Sequence, residues 1–181
     1  MKYIAIILLT WLGGINQAAP GLYVCKNAYI NIYSSAPIED ITAETSTGTS
    51  VYNSATGDLA FSLNIRALTF KKSLMQEHFN TDYMESDKYP KATFKGKMQE
   101  QIDITKDGTY PITVTGELEV HGVKQTRTIP GKLTISNGTV KMTSEFMVKC
   151  ADHQVKIPQL VFHNIAESIR VQVSATYIAY K

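Results

Sequence analysis

The chain has 181 residues, and its 18 basic and 16 acidic residues give a formal net charge of +2 at pH 7. No run of like charge is long enough to indicate a nucleic-acid surface, so the composition excludes nucleic acid as an expected partner. The sequence carries no internal repeat, low-complexity stretch or linker, and its length is that of one domain with a real core.

The first residues predict an export signal. One charge, Lys2, precedes an apolar stretch over residues 3–12, and small residues follow up to Ala18. About ten apolar residues are too few to span a bilayer, which needs about 20. We therefore predict a signal peptide over residues 1–18, a mature domain over residues 19–181, a periplasmic or secreted location and no stable membrane insertion.

Period-two alternation of apolar and polar residues predicts strands along most of the mature chain. Turn residues separate the alternating segments, and Asn137-Gly138 is the strongest hairpin signal among them. The predicted strands cover residues 22–34, 38–47, 58–69, 91–104, 109–121, 123–135, 139–151 and 167–180, with a further short extended piece at 49–53.

Eight antiparallel strands with one apolar face each predict an all-β fold, in which the apolar faces are buried against one another. A sandwich or a barrel achieves this, and closure into a barrel removes the exposed strand edges. An eight-stranded barrel has the size that either fills itself with side chains or holds one small ligand. The strand pattern alone does not choose between a solid core and a cavity.

Residues 72–96 interrupt the strands with a short helical insert that we interpret as a lid. Met75, Phe79 and Tyr83 follow one another at intervals of four, which places them on one helix face. The element ends before Pro90, because the residue that precedes a proline favours an extended conformation.

Two further signals concern the ends of this insert. Ser73 and Gln76 have the spacing of a capping box, in which each side chain bonds the backbone of the other residue. Asp82 followed by Glu85 offers a second helix start. The insert is therefore predicted to hold two short helices with a kink at residues 80–81.

Two cysteines, Cys25 and Cys150, suit an oxidising compartment. A disulfide between them would close a long loop and stabilise the fold by about 4–5 kcal/mol in the chain-entropy model. Alternation places Cys150 on the apolar face of its strand and Cys25 on the face opposite to the apolar one of its own strand. They pair only if one lies beyond its strand or on a bulge, so both redox states stay open.

The four histidines show no close metal-ligand spacing, and the chain has neither a Gly-x-Ser-x-Gly elbow nor a glycine-rich phosphate loop. His78 and Asp82 are interpreted as a local helix pair, and His121 as a turn residue. We predict no catalytic residue, no metal and no cofactor. The alternative is a metal- or redox-dependent activity at the end that carries His153 and His163.

Three stretches resemble the YceI-like family of polyisoprenoid-binding proteins. Residues 75–96 contain Met-x-Glu-His-Phe, Tyr-Met and Lys-Tyr-Pro-x-Ala-Thr-Phe-x-Gly, and residues 116–124 contain Gly-x-Leu-x-x-His-Gly-Val. Residues 157–169 are similar to the family's closing segment. The resemblance covers nearly the whole mature chain and implies a lipocalin-like extended barrel whose apolar interior holds a long isoprenoid tail. Residues 34–39 and the short loops resemble a compact branch.

With this resemblance, a cavity is favoured over a filled core, and the inward-facing side chains become predicted ligand contacts. An isoprene unit contributes roughly 3–4 kcal/mol at about 0.8 kcal/mol per buried methylene, against an association cost on the order of 4–15 kcal/mol, so several units are needed. The predicted contacts are Phe61, Leu63, Ile65, Phe70, Met75, Phe79, Tyr83, Met84, Phe94, Ile112, Val114, Leu118, Met142, Phe146 and Val148.

The predicted function is that of a non-catalytic protein that binds a hydrophobic small molecule, such as an isoprenoid or quinone-like lipid. A homodimer is compatible with this function. The alternative to a hollow barrel is a solid-core structural or partner-binding domain.

Overall fold

The structure, a computed structural model, describes residues 21–35, 40–157 and 166–180. The predicted signal peptide therefore lies outside the described residues. One helix, α1 (Ser73–His78), leads into a π-helical turn, Phe79–Tyr83. The strands are β1 (Leu22–Ser34), β2 (Ile41–Asn53), β3 (Asp58–Asn64), β4 (Thr69–Phe70), β5 (Lys91–Met98), β6 (Gly108–Val120), β7 (Val123–Ser136), β8 (Thr139–Lys149) and β9 (Ser168–Ala179).

Eight of these strands close into an antiparallel barrel. The order around the barrel is β1-β9-β8-β7-β6-β5-β3-β2, and β2 pairs back with β1. The two-residue strand β4 pairs with β2 opposite Ala43 and Glu44. Closure leaves each of the eight strands with two neighbours, so no barrel edge is left unpaired. The predicted all-β, eight-stranded barrel with a short helical insert is confirmed.

Three strand predictions differ from the structure in their bounds. The segments predicted at 38–47 and 49–53 fall on one strand, β2, which begins at Ile41, and residues 38 and 39 lie outside the described part. The segment predicted at 91–104 ends as a strand at Met98, because residues 99–107 form the irregular connection to β6. The segment predicted at 58–69 is two strands, because the 3-10 turn Ile65–Ala67 separates β3 from β4. The Asn137-Gly138 hairpin is confirmed, with positive φ values of 48° and 75° that match the two-residue turn preferred between twisted strands.

A bulge in β1 changes which face its side chains occupy. The register against β2 shifts between Cys25 and Ala28, and the consecutive residues Lys26 and Asn27 are both exposed. As a result Cys25, Ala28 and Ile30 are all buried in the core. Uninterrupted alternation predicts the opposite face for Cys25, and this prediction is wrong because the extra residue of a bulge resets the period.

The two cysteines are free and lie at opposite ends of the barrel. Val24, next to Cys25, pairs with Ile178 near the end of β9, whereas the amide of Cys150 donates to the carbonyl of Glu167 just before β9 begins. Eleven residues of near-extended chain separate these two places, which is about 35 Å. A disulfide needs Cα atoms about 4.4–6.8 Å apart, so this fold does not bring the two thiols together.

The helical insert is one continuous body. The amide of Met84 donates to the carbonyl of Phe79 at 2.9 Å, an i to i−5 bond that continues the helix with a wider turn. Asp82 lies inside this turn and starts no second helix, and Glu85 leaves the helix with a φ of 42°. The predicted kink between two helices is therefore wrong, because a π-helical turn absorbs the irregularity.

The predicted capping box is also wrong. Lys72, not Ser73, is the N-cap residue, and it makes no side-chain capping bond. The side chain of Gln76 instead accepts from the amide of Phe70 at 3.2 Å and donates to the carbonyl of Leu68 at 2.7 Å. Gln76 therefore attaches α1 to the chain around β4 rather than to its own first turn.

The barrel has two unlike ends. The lid end is where β1 finishes, and it carries α1 and its π-helical turn, which we name the lid (residues 73–83). The floor end is where β1 begins, and its interior is filled by side chains that are at most 2% exposed. These are Tyr52, Leu133, Ile135 and Val140. The ring centroids of Tyr23 and Tyr177 lie 6.2 Å and 6.3 Å from that of Tyr52. One end is thus closed by packed aromatic and branched side chains.

Candidate functional site

A cavity of about 500 Å³ occupies the barrel between the floor and the lid. This volume lies within the range of about 300–1,000 Å³ that is usual for small-molecule sites. All fifteen residues predicted as ligand contacts border it, from Phe61, Leu63 and Ile65 on the β3 side to Met142, Phe146 and Val148 on β8. That they contact a ligand stays a prediction.

Strands β1 and β9 supply a part of the wall that the predicted contacts omit. The inward residues of β9 are Ile169, Val171, Val173, Ala175 and Tyr177, all of which border the cavity. Ile30 and Ile32 of β1 lie beside them. The alternation of β9 is a sequence signal that would have identified these residues. The signal is weaker in β1, where the bulge interrupts the period.

The lid closes over the cavity with the predicted stripe of side chains. Met75, Phe79 and Tyr83 all border the cavity, and the ring of Phe79 lies 4.8 Å from that of Phe70 between centroids. Burial raises the pKa of Tyr83. Leu74, on the other side of α1, is 61% exposed, so the lid has one apolar face inward.

A buried polar contact holds the chain that leaves the lid. The side chain of Asn80 donates to the carbonyl of Gln76 at 2.9 Å and accepts from the hydroxyl of Ser86 at 3.0 Å. The amide of Ser86 also donates to the carbonyl of Asn80 at 2.8 Å. Asn80 and Ser86 are both buried. Because each buried polar group has a partner, the contact stabilises one position of the lid.

The chain that follows the lid is tied to the barrel through His121 in the β6–β7 turn. Its Nε2 lies 2.8 Å from a carboxylate oxygen of Glu85, and its Nδ1 lies 3.2 Å from the carbonyl of His153. The ring of Tyr89 packs edge-on against His121 at 4.5 Å between centroids. Two of the stretches that carry the family resemblance, residues 75–96 and 116–124, thus meet at this point.

The cavity-bordering His153 is the most deeply buried histidine of the described chain, at 0% exposed. Its Nδ1 lies 3.0 Å from the carbonyl of Val123. Among the described residues, no partner exists for its Nε2. No local pattern in the sequence indicates this arrangement, because Val123 and His153 are 30 residues apart.

His78 and Asp82 form the predicted local helix pair, with 2.6 Å between Nδ1 and the carboxylate. Both side chains are about half exposed, and the hydrogen bond from His78 lowers the pKa of Asp82. His163, the partner expected for His153 in a metal- or redox-dependent site, lies outside the described residues. Within the part of the chain that the structure describes, no group of three metal-ligating side chains is found.

Three further polar groups lie at the ends of the cavity or beside it: Ser50, Tyr177 and Cys150. On the floor, the hydroxyls of Tyr177 and Ser50 lie 2.7 Å apart, and Ser50 donates to the carbonyl of Ala60 at 2.9 Å. Burial raises the pKa of Tyr177 and of the Cys150 thiol. A buried thiol with a raised pKa holds little of the thiolate that nucleophilic chemistry requires.

In the described ranges, no helix has the length and apolar character needed to cross a membrane. The fold and the cavity together define a closed antiparallel barrel with an apolar interior, of the lipocalin-like class. A family model described as YceI-like domain matches residues 31–177. The chain therefore belongs to the YceI-like family.

Solved structures show the same fold. A polyisoprenoid-binding domain from Saccharophagus degradans is 14% identical with a TM-score of 0.75, covering 87% of this chain and 98% of that one. BcnA from Burkholderia cenocepacia is 14% identical with a TM-score of 0.71, covering 82% and 95%. The Campylobacter jejuni YceI protein is 15% identical with a TM-score of 0.55, covering 100% and 90%. No curated protein matches the sequence significantly.

Proposed function

We propose that this protein is a non-catalytic carrier that holds a polyisoprenoid or another long-chain amphiphilic lipid in the barrel. We further propose that it acts in the periplasm or outside the cell after removal of residues 1–18. The observation that carries the proposal is the apolar cavity of about 500 Å³ between the lid and the floor. Family membership supports it, since the similar Saccharophagus degradans domain is described as polyisoprenoid-binding.

The length of the cavity suggests the length of the ligand. Its wall on β9 runs from Ile169 to Tyr177, which is about 26 Å of strand at about 3.3 Å per residue. With a strand tilt of about 40°, this is about 20 Å along the barrel axis. An isoprene unit has four main-chain bonds of about 1.5 Å and advances about 5 Å. The cavity therefore suits about four extended units.

One barrel is sufficient for this function. The wall, the lid and the floor all come from a single chain, so a homodimer is not needed to complete the site. The driving force is burial of apolar surface, which grows with ligand length until the cavity is full. This makes chain length the property to which affinity responds most.

A titration of the delipidated, refolded protein with prenyl alcohols of two to eight units tests the proposal. We expect affinity to rise at least about tenfold per added unit up to about four units, because each unit buries several methylene-sized groups, and then to level off. Absence of saturable binding at every length would overturn the proposed function.

A variant in which the cavity is shorter tests how far the lipid extends toward the floor. Ala175 borders the cavity near the floor and is 2% exposed. We expect Ala175→Leu to move the plateau to a shorter alcohol. The control is Ala60→Leu, which adds the same atoms to an exposed position on the outer wall. It should leave the plateau where it is. Equal length profiles in the two variants would show that the lipid does not extend to the floor.

A further inference from the structure

His153 carries an unused hydrogen-bonding atom beside the apolar cavity. Of the described residues that border the cavity, His153 holds the one fully buried side-chain nitrogen or oxygen without a partner, its Nε2. Buried polar atoms are nearly always paired, and an exception is a place where a ligand or a water molecule is expected. The polar group on the floor, Tyr177, differs because Ser50 already pairs with it.

The hydrogen bond made by Nδ1, on the other side of the ring, determines whether Nε2 donates or accepts a hydrogen bond. Nδ1 faces the carbonyl of Val123 at 3.0 Å, and a carbonyl only accepts, so Nδ1 carries the hydrogen. In this tautomer Nε2 is the nitrogen of the ring that accepts a hydrogen bond.

Because Nε2 accepts a hydrogen bond, a complementary ligand must donate one. An alcohol, a phenol or the reduced form of a quinone has an O–H to donate, whereas an ether or an oxidised quinone has only acceptors. Anionic head groups are poorly matched, since no lysine or arginine is found among the described residues that border the cavity. The complementary head group is therefore neutral and bears a hydroxyl.

Resting on the proposed lipid-binding function, we infer that His153 Nε2 accepts a hydrogen bond from the hydroxyl of the bound lipid. This identifies the ligand class as long-chain alcohols or phenols. It also orients the ligand. His153 follows the end of β8 at the lid end, whereas Tyr177 is at the floor, so the head group lies under the lid and the tail extends toward Tyr177.

The test compares a four-unit prenyl alcohol with its methyl ether, which keeps the oxygen and the tail but has no hydrogen to donate. We expect the wild-type protein to bind the alcohol about tenfold more tightly than the ether, because one buried hydrogen bond contributes about this much to affinity. In His153→Asn, the amide can still donate to the Val123 carbonyl but does not reach the Nε2 position. The preference for the alcohol should then disappear while the affinity for the ether stays the same.

A second readout does not depend on any variant. In the wild-type protein, the ¹⁵N resonance of His153 Nε2 should shift when the alcohol binds and stay nearly unchanged with the ether. Equal affinity of the wild type for alcohol and ether, or an unchanged Nε2 resonance with alcohol bound, would overturn this inference and leave the lipid-binding function intact. If the wild type binds neither compound, the proposed function fails and this inference fails with it.

Discussion

At the scale of single residues, two glycines determine how closely two barrel strands approach. Gly96 on β5 lies directly opposite Gly116 on β6. A Cβ atom added at Gly116 would collide with the backbone of Lys95 and of Gly96 itself. The absence of side chains at this pair lets β5 and β6 pack backbone to backbone, and the ring of Phe94 occupies the space over Gly96.

Gly116→Ala should lower the free energy of unfolding by at least about 2 kcal/mol, because the backbone of a neighbouring strand has no flexible end that can move aside. Urea denaturation measures this change. The matched control is Gly138→Ala in the β7–β8 turn, where no atom lies within 4 Å of the added Cβ. That variant should lose only about 1 kcal/mol, the cost of its positive φ. Equal losses in both would contradict the close approach of β5 and β6.

Residue-scale detail is also where the sequence was least informative. The capping-box spacing of Ser73 and Gln76 was present, yet Gln76 bonds Phe70 and Leu68 instead. The bulge that turns Cys25 inward depends on the register between β1 and β2, and a local pattern carries no information on that register. Both errors arise because contacts with another element of the fold outcompeted a local preference.

At the scale of elements, the chain that follows the lid is tied to the barrel by a small number of contacts around one turn. His121 has a φ of 53° in that turn and contacts Glu85, Tyr89 and the carbonyl of His153. These contacts bring together the end of the lid segment, the β6–β7 turn and the 3-10 turn after β8. His121 therefore holds the chain that follows the lid, while Gln76 holds α1 itself through Phe70 and Leu68.

We expect His121→Asn to destabilise the protein by about 1–3 kcal/mol through the lost hydrogen bonds and ring packing. Asparagine tolerates a positive φ, so the backbone of the turn is not the cause. Amide exchange in α1 should accelerate more than exchange in the β6–β7 pair, because the lid loses one of its attachments while the hydrogen bonds between the barrel strands are kept.

The control for this prediction is Lys124→Ala in the same hairpin. Lys124 and Glu117 form an ion pair at 2.8 Å whose side chains are 57% and 50% exposed, and exposed pairs contribute little. Lys124→Ala should leave the exchange rates of α1 unchanged. If both variants accelerate amide exchange in α1 equally, the lid is not held through His121.

The strands and the helix, unlike individual side-chain contacts, could be predicted well from the sequence. Alternation identified all eight barrel strands, and the Asn137-Gly138 pair identified its hairpin. The spacing of Met75, Phe79 and Tyr83 identified the inward face of the lid. These signals succeed because they follow directly from helix and strand periods. The pattern cannot join 38–47 to 49–53 or divide 58–69, since strand ends depend on pairing partners.

At the scale of the whole molecule, the question that alternation left open was whether the barrel is filled or hollow. The structure divides the interior, with packed side chains such as Leu133 and Ile135 at the floor end and a cavity below the lid. Both regions carry the same kind of apolar pattern. The difference lies in how side-chain volumes from distant strands add up, and periodicity does not report volumes.

The proposed function requires that a lipid tail lies inside this cavity. Its most direct test is a crystal structure of the delipidated protein soaked with a four-unit prenyl alcohol that carries a bromine at the tail end. We expect anomalous density for the bromine inside the barrel near Ala175 and Tyr177, at the floor end of the cavity. An interior filled by side chains, or bromine density only on the outer surface, would contradict it.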